Sequence, residues 1–343
     1  MISKFQTNLN GPPRLISKIL EEGVDFHHLS GFLGYHLYSI WLFTFSDLKT
    51  IVIPKTIFGT MSAFAAPVFN LSVYSNHSEI CSRIPLAALW VYINFLPFAI
   101  DNQRQTSSIE EDRLNKPWRT MPSGRMTKSQ ANILMCCLYP IAVFASWRIG
   151  GMMQSLSLIA LGFWYNDMGG ADKSCITRNL INALGYVCFS SGAMEAALGQ
   201  PLLTIPTNTL ISAYETVISS VLCQWFAIIA GVVFTTVHSQ DLYDQAGDSA
   251  IGRRSVPLVI GDFPARVIVA VFMLFWSFFI PRFWRTTLLS TMLVGGLGLA
   301  VVIRILAFRN VRSDRKTFLM WNIWVVSLYM LPILKMYDSG LTQ

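Results

Sequence analysis

Apolar positions recur along this chain in long runs, not at the alternating spacing of a half-buried strand. Nine runs read as membrane-crossing helices: residues 51–73, 83–100, 130–148, 152–166, 179–198, 210–237, 265–281, 286–306 and 318–335, the fourth being the shortest. Residues 31–46 (GFLGYHLYSIWLFTFS) are apolar and aromatic but too short to span, and read as an interfacial or re-entrant helix. The predicted fold is all-α, a polytopic transmembrane bundle of about nine helices. Residues 1–50 form an N-terminal cytosolic arm carrying the interfacial helix, 51–337 the membrane domain, and 338–343 a short tail.

Composition agrees with this pattern. Of 343 residues, 53% are hydrophobic and 13% charged, with mean hydropathy +0.47, whereas a soluble domain carries about 25% charge. The first thirty residues contain no apolar run long enough for a signal peptide. Net charge is +7, and its placement decides what that means. With nine spans, one side collects nineteen Lys and Arg and the other four, with Lys55, Arg304 and Lys335 left inside spans; Lys55 is expected to snorkel from its helix end. That asymmetry puts the richer side in the cytosol and accounts for the basic balance without nucleic acid as a partner. The six cysteines are scattered and read as core thiols, and the five histidines form no ligand set. Asn-x-Ser sequons at Asn70 and Asn76 fall near the opposite side.

The polar centres are two loops on the basic side, Asp101 to Met126 and His238 to Pro257. In the second, Asp241, Asp244 and Asp248 are spaced by three and four, which aligns them on one face if helix six continues. Three like charges on a stripe call for a compensating cation, and magnesium shared with a substrate phosphate meets that need. The first loop supplies Glu110, Glu111 and Asp112 followed by Lys116 and Arg119, so metal-binding oxygens and phosphate-binding cations lie close together, as a diphosphate site requires. Pro117, Pro122 and Gly124 constrain its backbone.

Asp112 to Arg125, DRLNKPWRTMPSGR, resembles the D-x-x-N-K-P-x-R-P-x-P-S-G-R segment of UbiA-type intramembrane prenyltransferases. Asp241 to Pro257 is similar to the superfamily's second motif, D-x-x-D-x-x-G-D-x-x-x-G-x-R-T-L-P, with Ser255 and Val256 in place of Thr and Leu. The resemblance covers residues 50 to 337. It implies a helical bundle around a lipid-accessible cavity, with two aspartate-rich motifs holding Mg2+ and an isoprenyl diphosphate at the cytosolic mouth. Carried over, it makes Asp112, Asp241, Asp244 and Asp248 catalytic, and Glu111, Asp112, Asp244 and Asp248 metal ligands. Asn102, Lys116, Arg119 and Arg254 then bind the diphosphate. The first motif departs from N-D-x-x-D-x-x-x-D: an ungapped alignment puts Ser108 at the middle aspartate, and matching Asn102 to the leading Asn puts Gln103 at the first.

The Asn-Gln opening and Glu-Asp ending of the first motif resemble a fungal branch that includes membrane-bound terpene cyclases. The expected function is therefore ionisation of a prenyl diphosphate, with cyclisation of farnesyl diphosphate to a sesquiterpene ahead of transfer to an aromatic or other small acceptor. Trp90, Tyr92, Phe95, Phe98, Trp225 and Phe234 are candidates to stabilise a carbocation or simply to pack. No base for the transferase reaction is identifiable. A transporter is the remaining alternative, disfavoured because Glu195 and Glu215 are the only carboxylates within spans. The expected setting is the endoplasmic reticulum or another internal membrane, with the active-site loops cytosolic.

Overall fold

The computed structural model describes residues 26–71, 76–202 and 219–340, and among these every regular element is a helix. In chain order they are α1 (Phe26–Thr44), α2 (Ile53–Phe64), α3 (His77–Arg104), α4 (Thr106–Asn115), α5 (Lys128–Ile149), α6 (Met152–Asn166), α7 (Gly170–Lys173) and α8 (Cys175–Leu198). There follow α9 (Ser220–Thr236), α10 (Asp241–Ala250), α11 (Val256–Ile260), α12 (Asp262–Trp284), α13 (Leu288–Ala307), α14 (Val311–Tyr329) and α15 (Leu331–Asp338). Each of the nine predicted spans overlaps helix, the first and sixth only in part because residues 72–73 and 203–218 lie outside the described residues. By length and apolarity, six helical stretches suffice to cross a membrane: 77–104, 128–149, 220–250, 262–284, 288–307 and 311–338. The expected nine is thus not reproduced by this criterion: α2 and α6 have only 12 and 15 residues, and α8, with 24, is not apolar enough.

The helix starts are legible in local chemistry. Asn76 with Glu79 and Thr127 with Gln130 form capping boxes at the starts of α3 and α5, each satisfying two backbone N–H groups that would otherwise lack partners. The cap role engages the Asn76 side chain, which accepts from the Glu79 N–H at 2.9 Å.

The exterior identifies the solvent. Phe144, Trp147, Phe278, Leu288, Leu289, Met292 and Leu293 are all exposed, and only 11% of the most apolar stretch of α5 is buried. Long helices with apolar outward faces have lipid as their surroundings, so this is an integral membrane protein. All six cysteines are free, and Cys81, Cys136, Cys137 and Cys223 are exposed on helices instead of filling the core as expected.

Three ionisable side chains inside the bundle have partners there. Arg266, counted from the sequence as a loop cation, lies buried in α12 and reaches both carboxylate oxygens of Asp314 on α14 at 2.7 and 2.8 Å. Lys55 does not snorkel: it is fully buried, donates to the Tyr329 hydroxyl at 2.8 Å and sits 3.7 Å from the Tyr186 ring centroid. A phenol oxygen and a ring face thus surround this buried amine. Glu195 accepts from the Gly151 and Leu202 N–H groups and the Gln154 amide at 2.7–3.0 Å, so this carboxylate joins helix ends instead of lining a transport path. Glu215 lies outside the described residues.

Candidate active site

Both acidic loops are largely helical. After Arg104 the chain breaks at Gln105, with ψ 146°, and resumes as α4, which carries Ser108, Glu111 and Asp112. A 3-10 turn at Val237–Gln240 connects α9 to α10, which supplies the continuous helix that the spacing of Asp241, Asp244 and Asp248 requires. The two motif helices pack on one another, so both loops occupy the same end of the bundle. Gly247 makes this approach possible: a Cβ there would fall 2.3 Å from the Asn115 Nδ2. Asn115 completes the join by donating to the Asp244 carbonyl at 3.2 Å.

Beside this junction lies a cavity of about 550 Å3. It is lined by Asn102, Glu111, Asp112, Lys116, Arg119 and Asp244, all named from the sequence. Phe95, Phe98, Tyr165, Tyr186, Phe189 and Phe318 line it as well. Of the aromatics singled out in the sequence, Trp90 and Trp225 are fully buried in the core and Phe234 is exposed. Asp241 and Asp248 are buried without lining the cavity. Arg254 is exposed, does not line the cavity and gives only its backbone N–H to the Asp172 carbonyl.

The neighbouring arginine is the one at the junction. Arg253 is buried and contacts Glu111 at 2.7 Å, Asp248 at 2.8 Å and Asp172 at 2.7 Å, bridging the two motifs. Arg119 gives one nitrogen to both oxygens of Asp112 at 3.1 Å and another to Asp47 at 3.0 Å. Lys116 pairs with Asp244 at 3.2 Å. Arg178 donates to Asp241 at 3.1 Å and to the Tyr165 hydroxyl at 2.7 Å. Burial raises the Asp112 carboxyl above its ordinary range despite Arg119 and Lys116 beside it.

Sequence reasoning missed Arg253, Arg178, Arg315, Asp47 and Asp172. The first stands next to Arg254 in a Gly-Arg-Arg run where motif spacing selects the wrong neighbour, and that doublet was the available signal. Arg178 was counted as a loop cation and lies instead at the start of α8. The others are remote in sequence from either motif, and no local pattern marks them.

No three His, Cys, Asp or Glu side chains converge as a ready metal nest among the described residues. Yet Asp241, Asp244 and Asp248 each leave one buried carboxylate oxygen without a hydrogen-bond partner. Magnesium is commonly bound through one or two carboxylates, water and substrate phosphates, so this donor set fits it.

Residues 102–324 match the sequence profile of the UbiA prenyltransferase family. The chain belongs to that family. A fumagillin beta-trans-bergamotene synthase from Aspergillus fumigatus is 24% identical over 302 residues, covering 87% of this chain and 92% of the relative. A polyprenyl transferase from Hericium erinaceus is 28% identical over 310 residues, covering 87% and 94%. Among solved structures, a UbiA homologue from Archaeoglobus fulgidus bound to DMAPP and Mg2+ superposes with TM-score 0.54 at 11% identity, covering 84% of this chain and 98% of the homologue. That likeness establishes the UbiA fold, and family membership makes the chain a UbiA-type enzyme.

Proposed function

We propose that this UbiA enzyme ionises farnesyl diphosphate with magnesium and cyclises the resulting cation to a sesquiterpene. The observation that carries the reading is that one cavity is lined both by Arg119, Arg253, Lys116 and carboxylates and by aromatic rings. The diphosphate lies against Lys116, Arg119 and Arg253, whose charge-assisted hydrogen bonds favour the departing group. Asn102 lines the same cavity and is held by the Asn166 amide, 3.0 Å away. The α10 aspartates would hold magnesium, which would supply neutralisation of charge on the phosphate oxygens of the leaving group. As the allylic C–O bond breaks, its electron pair leaves with pyrophosphate, and the organic cation remains among ring faces that stabilise it and exclude water. Attack by the substrate's own double bonds forms the ring. Loss of a C–H proton then restores an alkene, with the departed pyrophosphate as acceptor.

The Aspergillus relative, named a synthase of a bergamotene, supports cyclisation. The Hericium relative, named a polyprenyl transferase, supports the second reading, in which a separate small molecule attacks the same cation. In either reading the motif loops face the cytosol from an internal membrane such as the endoplasmic reticulum. The exposed Phe32, Leu33, Leu37 and Tyr38 of α1 then rest at the lipid interface.

Membranes containing the protein, incubated with magnesium and farnesyl diphosphate without an acceptor, should yield a cyclic hydrocarbon by gas chromatography and mass spectrometry. Product only after an aromatic acceptor is added would replace cyclisation with transfer. No pyrophosphate release under either condition would reject the reading.

A further inference from the structure

The two acidic motifs do not offer equivalent oxygens. On α4, Glu111 pairs with Arg253 and both oxygens of Asp112 face Arg119. The two positions at which the family pattern has carboxylates in the alternative alignments carry neutral groups, and both line the cavity: Ser108, and Gln103, whose amide is engaged by the Phe43 carbonyl at 2.7 Å. On α10, Asp241, Asp244 and Asp248 each meet a cation through one oxygen and leave the other buried and unpartnered. Asp244 also lines the cavity.

We propose that the second motif alone holds a divalent ion, centred on Asp244, and that Arg253 and Arg119 occupy the first motif in place of another. This rests on the diphosphate reading above and narrows it, because it removes Glu111 and Asp112 from the metal ligands and makes them partners of arginine.

The chemistry of the side chains supports the division. A guanidinium does not lose its proton in a protein, so it cannot yield its carboxylates by becoming neutral as a lysine can. A metal entering between Glu111 and Asp112 would have to displace two buried arginines, stranding their charges in a water-poor site. Their planar forks suit phosphate oxygens and supply positive charge from the side where a metal would have stood. The cavity is already lined by Lys49, Lys116, Arg119, Arg178, Arg253 and Arg315, which reduces its need for a second ion. Buried oxygens lacking any partner, by contrast, are costly unless a cation or water reaches them, and those oxygens lie on α10.

The test counts ions. Purified full-length protein in lipid nanodiscs is titrated with Mn2+ at saturating inorganic pyrophosphate, and bound Mn2+ is measured by electron paramagnetic resonance. The expected count is one ion per chain in the unaltered protein and one in Glu111→Gln, with none in Asp244→Asn. Two ions in the unaltered protein, or loss of the ion in Glu111→Gln, would overturn the inference while leaving diphosphate binding intact. Pyrophosphate bound with no Mn2+ would overturn it as well. Failure to bind pyrophosphate at all, with no release from farnesyl diphosphate, would reject the functional reading itself. Should Asp244→Asn not fold, the unaltered and Glu111→Gln counts still decide.

Discussion

The two motif helices, α4 and α10, have ten residues each and pack against one another, yet their acids are paired differently. Asp241, Asp244 and Asp248 lie along a helical stretch that continues from α9 through the 3-10 turn into α10, and each meets a cation through one oxygen only. The acids on α4 are taken up by arginines, Glu111 by Arg253 and both oxygens of Asp112 by Arg119, while those on α10 each keep a buried oxygen unpartnered. Similar residue types in two similar loops thus acquire different chemistry from which cations reach them and through how many oxygens.

Removing those unpartnered oxygens is the harshest test. Asp244→Ala or Asp248→Ala should lower pyrophosphate release by about 10³-fold or more, the scale of losing electrostatic stabilisation of a leaving group. The protein should remain folded in membranes, as checked by detergent size exclusion, and full turnover in both variants would remove α10 from the chemistry. A smaller effect is expected from separating the helices without touching a charge. Gly247→Ala places a methyl against Asn115 and the Glu111 Cγ, and should slow turnover on the order of 10²-fold through misplacement. Unchanged kinetics would mean that the register of α4 against α10 does not matter.

The mildest test is pH. Burial raises the Asp112 carboxyl, so it takes up its proton at higher pH than an ordinary carboxylate as the solution is acidified. Protonation removes its charge pairing with Arg119. Activity should therefore begin to fall on acidification above the usual carboxylate range, and Asp112→Asn should flatten that limb of the pH–rate profile. An acid limb identical in the variant would assign the titration to another group.

Much of the site was legible because its residues are close in sequence and helical spacing is short-range. Asp241, Asp244 and Asp248 announce one helix face by spacing alone, and Asn102, Glu111, Asp112, Lys116 and Arg119 come from one segment that reaches the cavity. Arg253 against Arg254 was not legible, since a one-residue shift turns a side chain from the interior to the surface and no adjacent residue states which one turns inward. Lys55 misled for a related reason: its helix-end position suits snorkelling, but Tyr186 and Tyr329, distant in the chain, surround it inside.

Hydropathy and length determined from the sequence that this chain lives in lipid as a helical bundle, because the cost of unpaired backbone in hydrocarbon leaves few alternatives to helices. The sequence also placed both polar centres on one side. Only tertiary structure decided which arginine meets which carboxylate, and therefore which oxygens stay open to a metal. Those pairings join α4 to the loop after α10, and α8 to α10. They arise from packing between segments far apart in the chain, which no local spacing encodes.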